Sequence, residues 1–82
     1  MIKLTEDQKT RVFEIISENL EVNLELIKED SLLKEDLGAD SLHEVELTIE
    51  FEREFDIDIP DSDIENVKTV GDFIQVLENI IK

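Results

Sequence analysis

Between Ser41 and Phe55 the chain reads SLHEVELTIEFEREF, and one buried face cannot account for its apolar residues. On a helix advancing about 100° per residue, Leu42, Val45 and Ile49 cluster within about 60° of one another. Leu47, Phe51 and Phe55 fall on the opposite side. A helix at the surface of a small domain buries one stripe, not two. The stripe with Phe51 and Phe55 is the bulkier and is expected to face the core. Leu42, Val45 and Ile49 are then left as a partly exposed strip. Glu46 lies beside it, Glu52 on its other flank and Arg53 within it. An apolar strip rimmed by charge is a usual form of protein docking site. The alternative is that the long segment before this helix covers the strip.

The remaining chain reads as helical too. It has one Pro, Pro60, and two Gly, Gly38 and Gly71, among many Leu, Ile, Glu and Lys. Thr5–Gln8 (TEDQ) matches a capping box, and Val12, Phe13, Ile16 and Leu20 follow at helical spacing, predicting a helix over about residues 6–19. Residues 20–40 are irregular but hold Leu24, Leu26, Ile27, Leu32, Leu33 and Leu37. Those residues tie the segment to a core, with a short helical turn expected after Asp30 or Ser31. Gly38 and Asp40 look like a turn into a cap. Beyond Pro60 a short helical piece is expected over 61–66, with Ile64 and Val67 inward. A last helix starts after Thr69, with Thr69 and Asp72 as its cap pair and Val70, Phe73, Ile74, Leu77 and Ile81 as its stripe. The expected fold is all-α: one domain over 1–82, a small four-helix bundle of three main helices and one short one, with a long first loop.

Charge and composition narrow the function. Asp and Glu total 23 against 8 Lys and Arg, for a net charge of -15. Such a surface repels nucleic acid and anionic membranes and attracts basic protein surfaces. It also opposes self-association, so a monomer is expected. No apolar run approaches the roughly 20 residues of a membrane span. The start MIKLTEDQ lacks the long apolar region of a signal peptide, so a cytoplasmic location is expected. With no cysteine, disulfides, thiolate metal sites and Cys nucleophiles are excluded. The one histidine, His43, stands two residues from Ser41, about 200° away on a helix, which argues against a local Ser–His pair.

Ser41 itself, with Glu44 three residues on, fits a capping box. A second role emerges from the surrounding residues. The run DLGADSLHEVEL around Asp-Ser-Leu resembles the attachment motif of acyl carrier proteins, and EFEREFDIDIPDSDIENVKTVGDFI resembles that family's continuation. The resemblance is dense from about Ser31 to the end and weaker over the first helix. It implies a right-handed four-helix bundle and a 4'-phosphopantetheine arm, taken from coenzyme A by a phosphopantetheinyl transferase and esterified to Ser41. The arm's thiol would carry acyl chains as thioesters to fatty acid synthesis enzymes with basic docking surfaces. The carrier itself would have no catalytic activity.

By matching position, Asp40, Leu42, Val45, Glu46, Ile49 and Glu52 would form the docking face, extended by Asp61 and Glu65. Leu33, Leu47, Phe51, Phe55, Ile59, Val67 and Phe73 would line the core and acyl pocket. The chemistry of the residues agrees. A carrier needs a thiol that this chain lacks, and a helix N-terminus tolerates a phosphodiester. The sequence departs from the family where His43 and Arg53 replace expected acids. His43 reads as a solvated surface residue, or more sharply as a pH-sensitive contributor to docking or helix stability.

Two other classes compete. DIDIPDSDIE offers five carboxylates for a cation, but an EF-hand loop wants an oxygen ligand at its fifth position and Gly at its sixth. Counting from Asp56, those are Pro60 and Asp61. A pure acidic interaction module, or a carrier for aminoacyl or other acyl cargo, are the remaining alternatives.

Overall fold

The computed structural model describes residues 3–81. Among them run α1 (Glu6–Leu20), a 3-10 turn (Leu24–Leu26), α2 (Ser41–Phe55), the single-turn α3 (Asp61–Ile64) and α4 (Val70–Ile80). The all-α fold with three main helices and one short one is as expected. α3 is shorter than expected, because the Val67 N–H turns back to the Ile64 carbonyl and tightens the chain after one turn.

All three long helices begin with a reciprocal capping box. At α1 the Thr5 hydroxyl accepts the Gln8 N–H at 3.1 Å, and Gln8 Oε1 accepts the Thr5 N–H at 2.8 Å. At α4 Thr69 and Asp72 do the same at 3.0 and 3.1 Å, and Asp72 also accepts the Lys68 N–H. At α2 the expected pair, Ser41 with Glu44, is corrected: the cap is Asp40 and its partner is His43. Gly38, at φ +74, bends the chain so that Asp40 is the extended residue ahead of the helix. Ser41 becomes the first helical residue.

α1 runs antiparallel to α2 and α4. Arg11, in the second turn of α1, reaches Glu54 near the end of α2 at 2.8 Å. The Leu4 N–H, just ahead of α1, donates to Glu78 near the end of α4 at 3.0 Å. Ser41 therefore lies at the end of the bundle where α1 finishes and α4 starts. The core between the helices holds Val12, Ile15, Ile16, Leu47, Phe51, Val70, Phe73, Ile74 and Leu77. Phe51 and Phe73 meet edge to face, with centroids 5.0 Å apart.

The segment 21–40 is tied down along its length. Its turn after Ser31 forms by hydrogen bonds from Asp36 and Leu37 to Leu32, Ala39 to Leu33 and Gly38 to Lys34. The 3-10 turn was not evident in the sequence. Leu32 and Thr69 form an isolated antiparallel bridge, flanked by bonds from Leu33 to Lys68 and from Val70 to Ser31. The Gly71 N–H donates to the Glu29 carbonyl at 2.7 Å. Ile27, Leu33, Leu37 and Ala39 of this segment are buried. The loop thus joins the core and fastens the start of α4 beside the start of α2.

Candidate functional site

The site centres on the first turn of α2. The Asp40 carboxylate accepts the His43 N–H at 2.9 Å, and His43 Nδ1 accepts the Asp40 N–H at 3.2 Å. The His43 N–H holds the Asp40 carboxyl below the usual carboxylate range. Capping is therefore complete without Ser41, which is exposed at the first helical position. Its hydroxyl is offered to solvent where the free N–H groups and the dipole of a 15-residue helix favour an anion. That is the setting a serine-linked phosphodiester requires. The bend at Gly38 and the small, buried Ala39 keep the approach to it uncluttered.

Behind Ser41, α2 keeps its two faces apart. Leu47 and Phe51 are fully buried and Phe55 is partly buried. Leu42, Val45 and Ile49 remain 64, 52 and 42% exposed, so the preceding loop does not cover the strip. Glu46, Asp61 and Glu65 are exposed as well. Arg53 is exposed and sits 3.7 Å from Glu50. Glu52 is less free than its sequence position implied. It is half-buried, and its Oε2 accepts the Ile59 N–H at 2.8 Å.

Of the residues expected at the acyl pocket, Leu33, Leu47, Phe51, Ile59 and Phe73 are buried in the packed core. Phe55 and Val67 pack against its edge. Only Val67 of these lines the cavity of about 330 Å³ that opens between the 21–40 loop, the first turns of α2 and the segment after α3. Leu32, Lys34, Glu35, Glu44, Glu65 and Lys68 complete its wall. Glu44 stands one turn from Ser41 on the same side of α2. The sequence reading missed Lys34 and Lys68 here because they come to line one cavity across the segments that the bridge of Leu32 to Thr69 joins. It also missed the function of His43, although the Asp-x-x-His spacing is that of a capping box.

Among the described residues no group of three or more His, Asp or Glu side chains converges on a metal-sized site. No helix of the described residues is long and apolar enough to cross a membrane.

Comparison with known proteins is consistent with this geometry. The family model described as "Phosphopantetheine attachment site" matches residues 10–77. The acyl carrier protein of Sulfurovum sp. (strain NBC37-1) is 51% identical over 69 residues, covering 84% of this chain and 92% of that protein. The acyl carrier protein of Chlorobium phaeobacteroides is 46% identical over 80 residues, covering 96% of this chain and 99% of that one. A solved structure from Mycobacterium tuberculosis, assigned as an acyl carrier protein, superposes with a TM-score of 0.79 at 36% identity, covering 84% of this chain and 92% of that one.

Proposed function

We infer the working of this site from one premise: the chain belongs to the acyl carrier proteins, the family of the phosphopantetheine attachment site. Ser41 Oγ is the atom to be esterified. The observation that carries this assignment is that Asp40 and His43 complete the cap of α2 between them, leaving Ser41 exposed and without a capping duty at the centre of Asp-Ser-Leu. When bound, 4'-phosphopantetheine supplies the thiol on which acyl groups ride, a group this cysteine-free chain lacks. The chain's own part is to hold that arm at a helix start, present it and shelter its cargo. We read it as a carrier without catalysis of its own, acting as a monomer in the cytoplasm.

The exposed strip of Leu42, Val45 and Ile49 is the landing surface for partner enzymes. Asp40, Glu46, Asp61 and Glu65 give it the negative rim that basic surfaces of a phosphopantetheinyl transferase and of fatty acid synthesis enzymes would meet. Glu52 contributes mainly by holding the turn behind that surface. Acyl cargo lies toward the Val67 cavity. A long chain reaches further only by parting the close-packed side chains of Leu33, Leu47, Phe51, Phe55, Ile59 and Phe73.

The test is direct. The chain is incubated with coenzyme A and a phosphopantetheinyl transferase, and the intact mass is taken. One arm should add to the wild type and none to Ser41→Ala. Absence of added mass, or addition to Ser41→Ala, rejects the assignment.

A further inference from the structure

The three reciprocal caps of this molecule differ in one chemical respect. At α1 the acceptor facing the cap residue's N–H is an amide oxygen, Gln8 Oε1, which holds no proton at any ordinary pH. At α4 it is the Asp72 carboxylate, which the Lys68 and Thr69 N–H groups hold in its charged form. At α2 it is a ring nitrogen, His43 Nδ1. An imidazole nitrogen accepts only while it is unprotonated, and histidine takes up its proton within about pH 5–8. Among the described residues, the helix start that carries Ser41 is the one whose reciprocal cap rests on a ring nitrogen, whereas the α4 cap gives way only in acid that protonates a carboxylate.

We propose that His43 is a positioning residue for Ser41, and that protonation of its ring releases the backbone ahead of the modified serine. The inference rests on Ser41 being the attachment point. In the neutral ring the bond from the Asp40 N–H places the ring proton on Nε2. Protonation turns Nδ1 into a donor, so it and the Asp40 N–H face each other as two donors. The Asp40 carboxylate, with Oδ1 3.1 Å from Nδ1, can then take the ring proton, but it already accepts the His43 N–H. The cap changes from two reciprocal bonds to one shared carboxylate, and the Asp40 N–H is left to solvent. A cation at a helix N-terminus also opposes the dipole.

The neighbouring charges leave this exchange to Asp40. On α1, which packs against α2, Glu14 and Glu18 pair with Arg11. Around the first turn of α2, Lys34 and Glu35 of the loop, Glu44 of α2, and Glu65 and Lys68 beyond α3 line the adjoining cavity. Among the described residues, Asp40 is the carboxylate within 4 Å of the ring.

The experiment uses the unloaded full chain and two variants. His43→Gln keeps an acceptor that does not titrate, as Gln8 does at α1, and His43→Ala removes the acceptor at every pH. Amide exchange protection at Asp40 is followed by NMR from about pH 8 to 5.5, the histidine range. Transferase loading with coenzyme A is run in parallel and expressed as the wild-type rate over the His43→Gln rate, which cancels the transferase's own pH response. Protection in the wild type should fall about two- to fivefold toward acid, the scale of one exposed hydrogen bond, and the loading ratio should fall with it. His43→Gln should be flat, and His43→Ala at pH 8 should resemble the wild type in acid. Equal pH responses in the wild type and His43→Gln, or a constant loading ratio, overturn the proposal. Loading that survives Ser41→Ala overturns the attachment assignment instead, and the Asp40 amide still reports the cap by itself.

Discussion

The Glu52 carboxylate accepts the Ile59 N–H at 2.8 Å, while the Glu52 carbonyl accepts the Ile57 N–H at 3.1 Å. One residue in the last turn of α2 thus holds both ends of the turn that leads to Pro60 and buries Ile59. Glu52→Ala leaves the Ile59 N–H without its partner and should cost about 1–2 kcal/mol in urea unfolding. Glu52→Gln keeps an acceptor and should lose less than half of that. Equal losses in the two variants would show that charge, not the bond, matters there.

Gly71 lies where α4 passes under the loop. A Cβ there would stand 3.0 Å from the Glu29 carbonyl oxygen, which is itself bonded to the Gly71 N–H. Alanine favours a helix over glycine by about 1 kcal/mol, but a backbone oxygen cannot swing aside as a side chain can. Gly71→Ala should therefore lower the melting temperature, by the equivalent of about 1–2 kcal/mol net of the helix gain. A raised melting temperature would show that the loop yields freely.

Asp72 gives the acid dependence a sign. Its carboxyl is lowered below its usual 3.8 by the Lys68 and Thr69 N–H groups that it accepts. A depressed folded value means that the carboxylate stabilises the fold above the unfolded value and that this share is lost as pH falls through the folded one. Asp72→Asn does not titrate. The wild type should be the more stable above about pH 5, and the gap should close below about pH 3.8. Thermal melts at stepped pH measure it; a gap that widens in acid would contradict the cap geometry.

Glu46 is exposed beside the strip of Leu42, Val45 and Ile49. Glu46→Lys should slow association with a partner enzyme by about threefold or more at low salt, with the loss shrinking above about 0.15 M as charges are screened. Its circular dichroism and melt should stay near those of the wild type. Stopped-flow association rates unchanged at low salt would remove Glu46 from the docking surface.

The long helices were legible because their signals are local. Thr5 with Gln8 and Thr69 with Asp72 announce two starts, and the apolar period of α4 names its buried face. The two-faced reading of α2 was legible for the same reason: Phe51 ends in the core and Leu42 in solvent. The span of α2 was legible, but its cap was misassigned by one residue, because serine and aspartate are both good caps and sequence does not show which is extended. What Gly38 does at φ +74 decides it. The loop's attachments were not legible at all. The bridge of Leu32 to Thr69 and the contact of Gly71 with Glu29 join residues about 40 apart, and no periodicity marks them. The cavity wall of Lys34, Glu44 and Val67 follows from those attachments and was hidden with them.

The separation of faces on α2 has a consequence for how such a chain can diverge. Leu42, Val45 and Ile49 stay part-exposed in the fold, Leu42 the most, whereas Leu47 and Phe51 on the other side are wholly inside. Changes to the first three cost the fold less, Leu42 least of all, and under the docking role proposed above they alter chiefly who is greeted. Changes to the second pair are vetoed by stability whatever their use. On that proposal the partner repertoire can drift, duplicate or be redesigned along one edge of a single helix, while the scaffold that displays Ser41 stays the same.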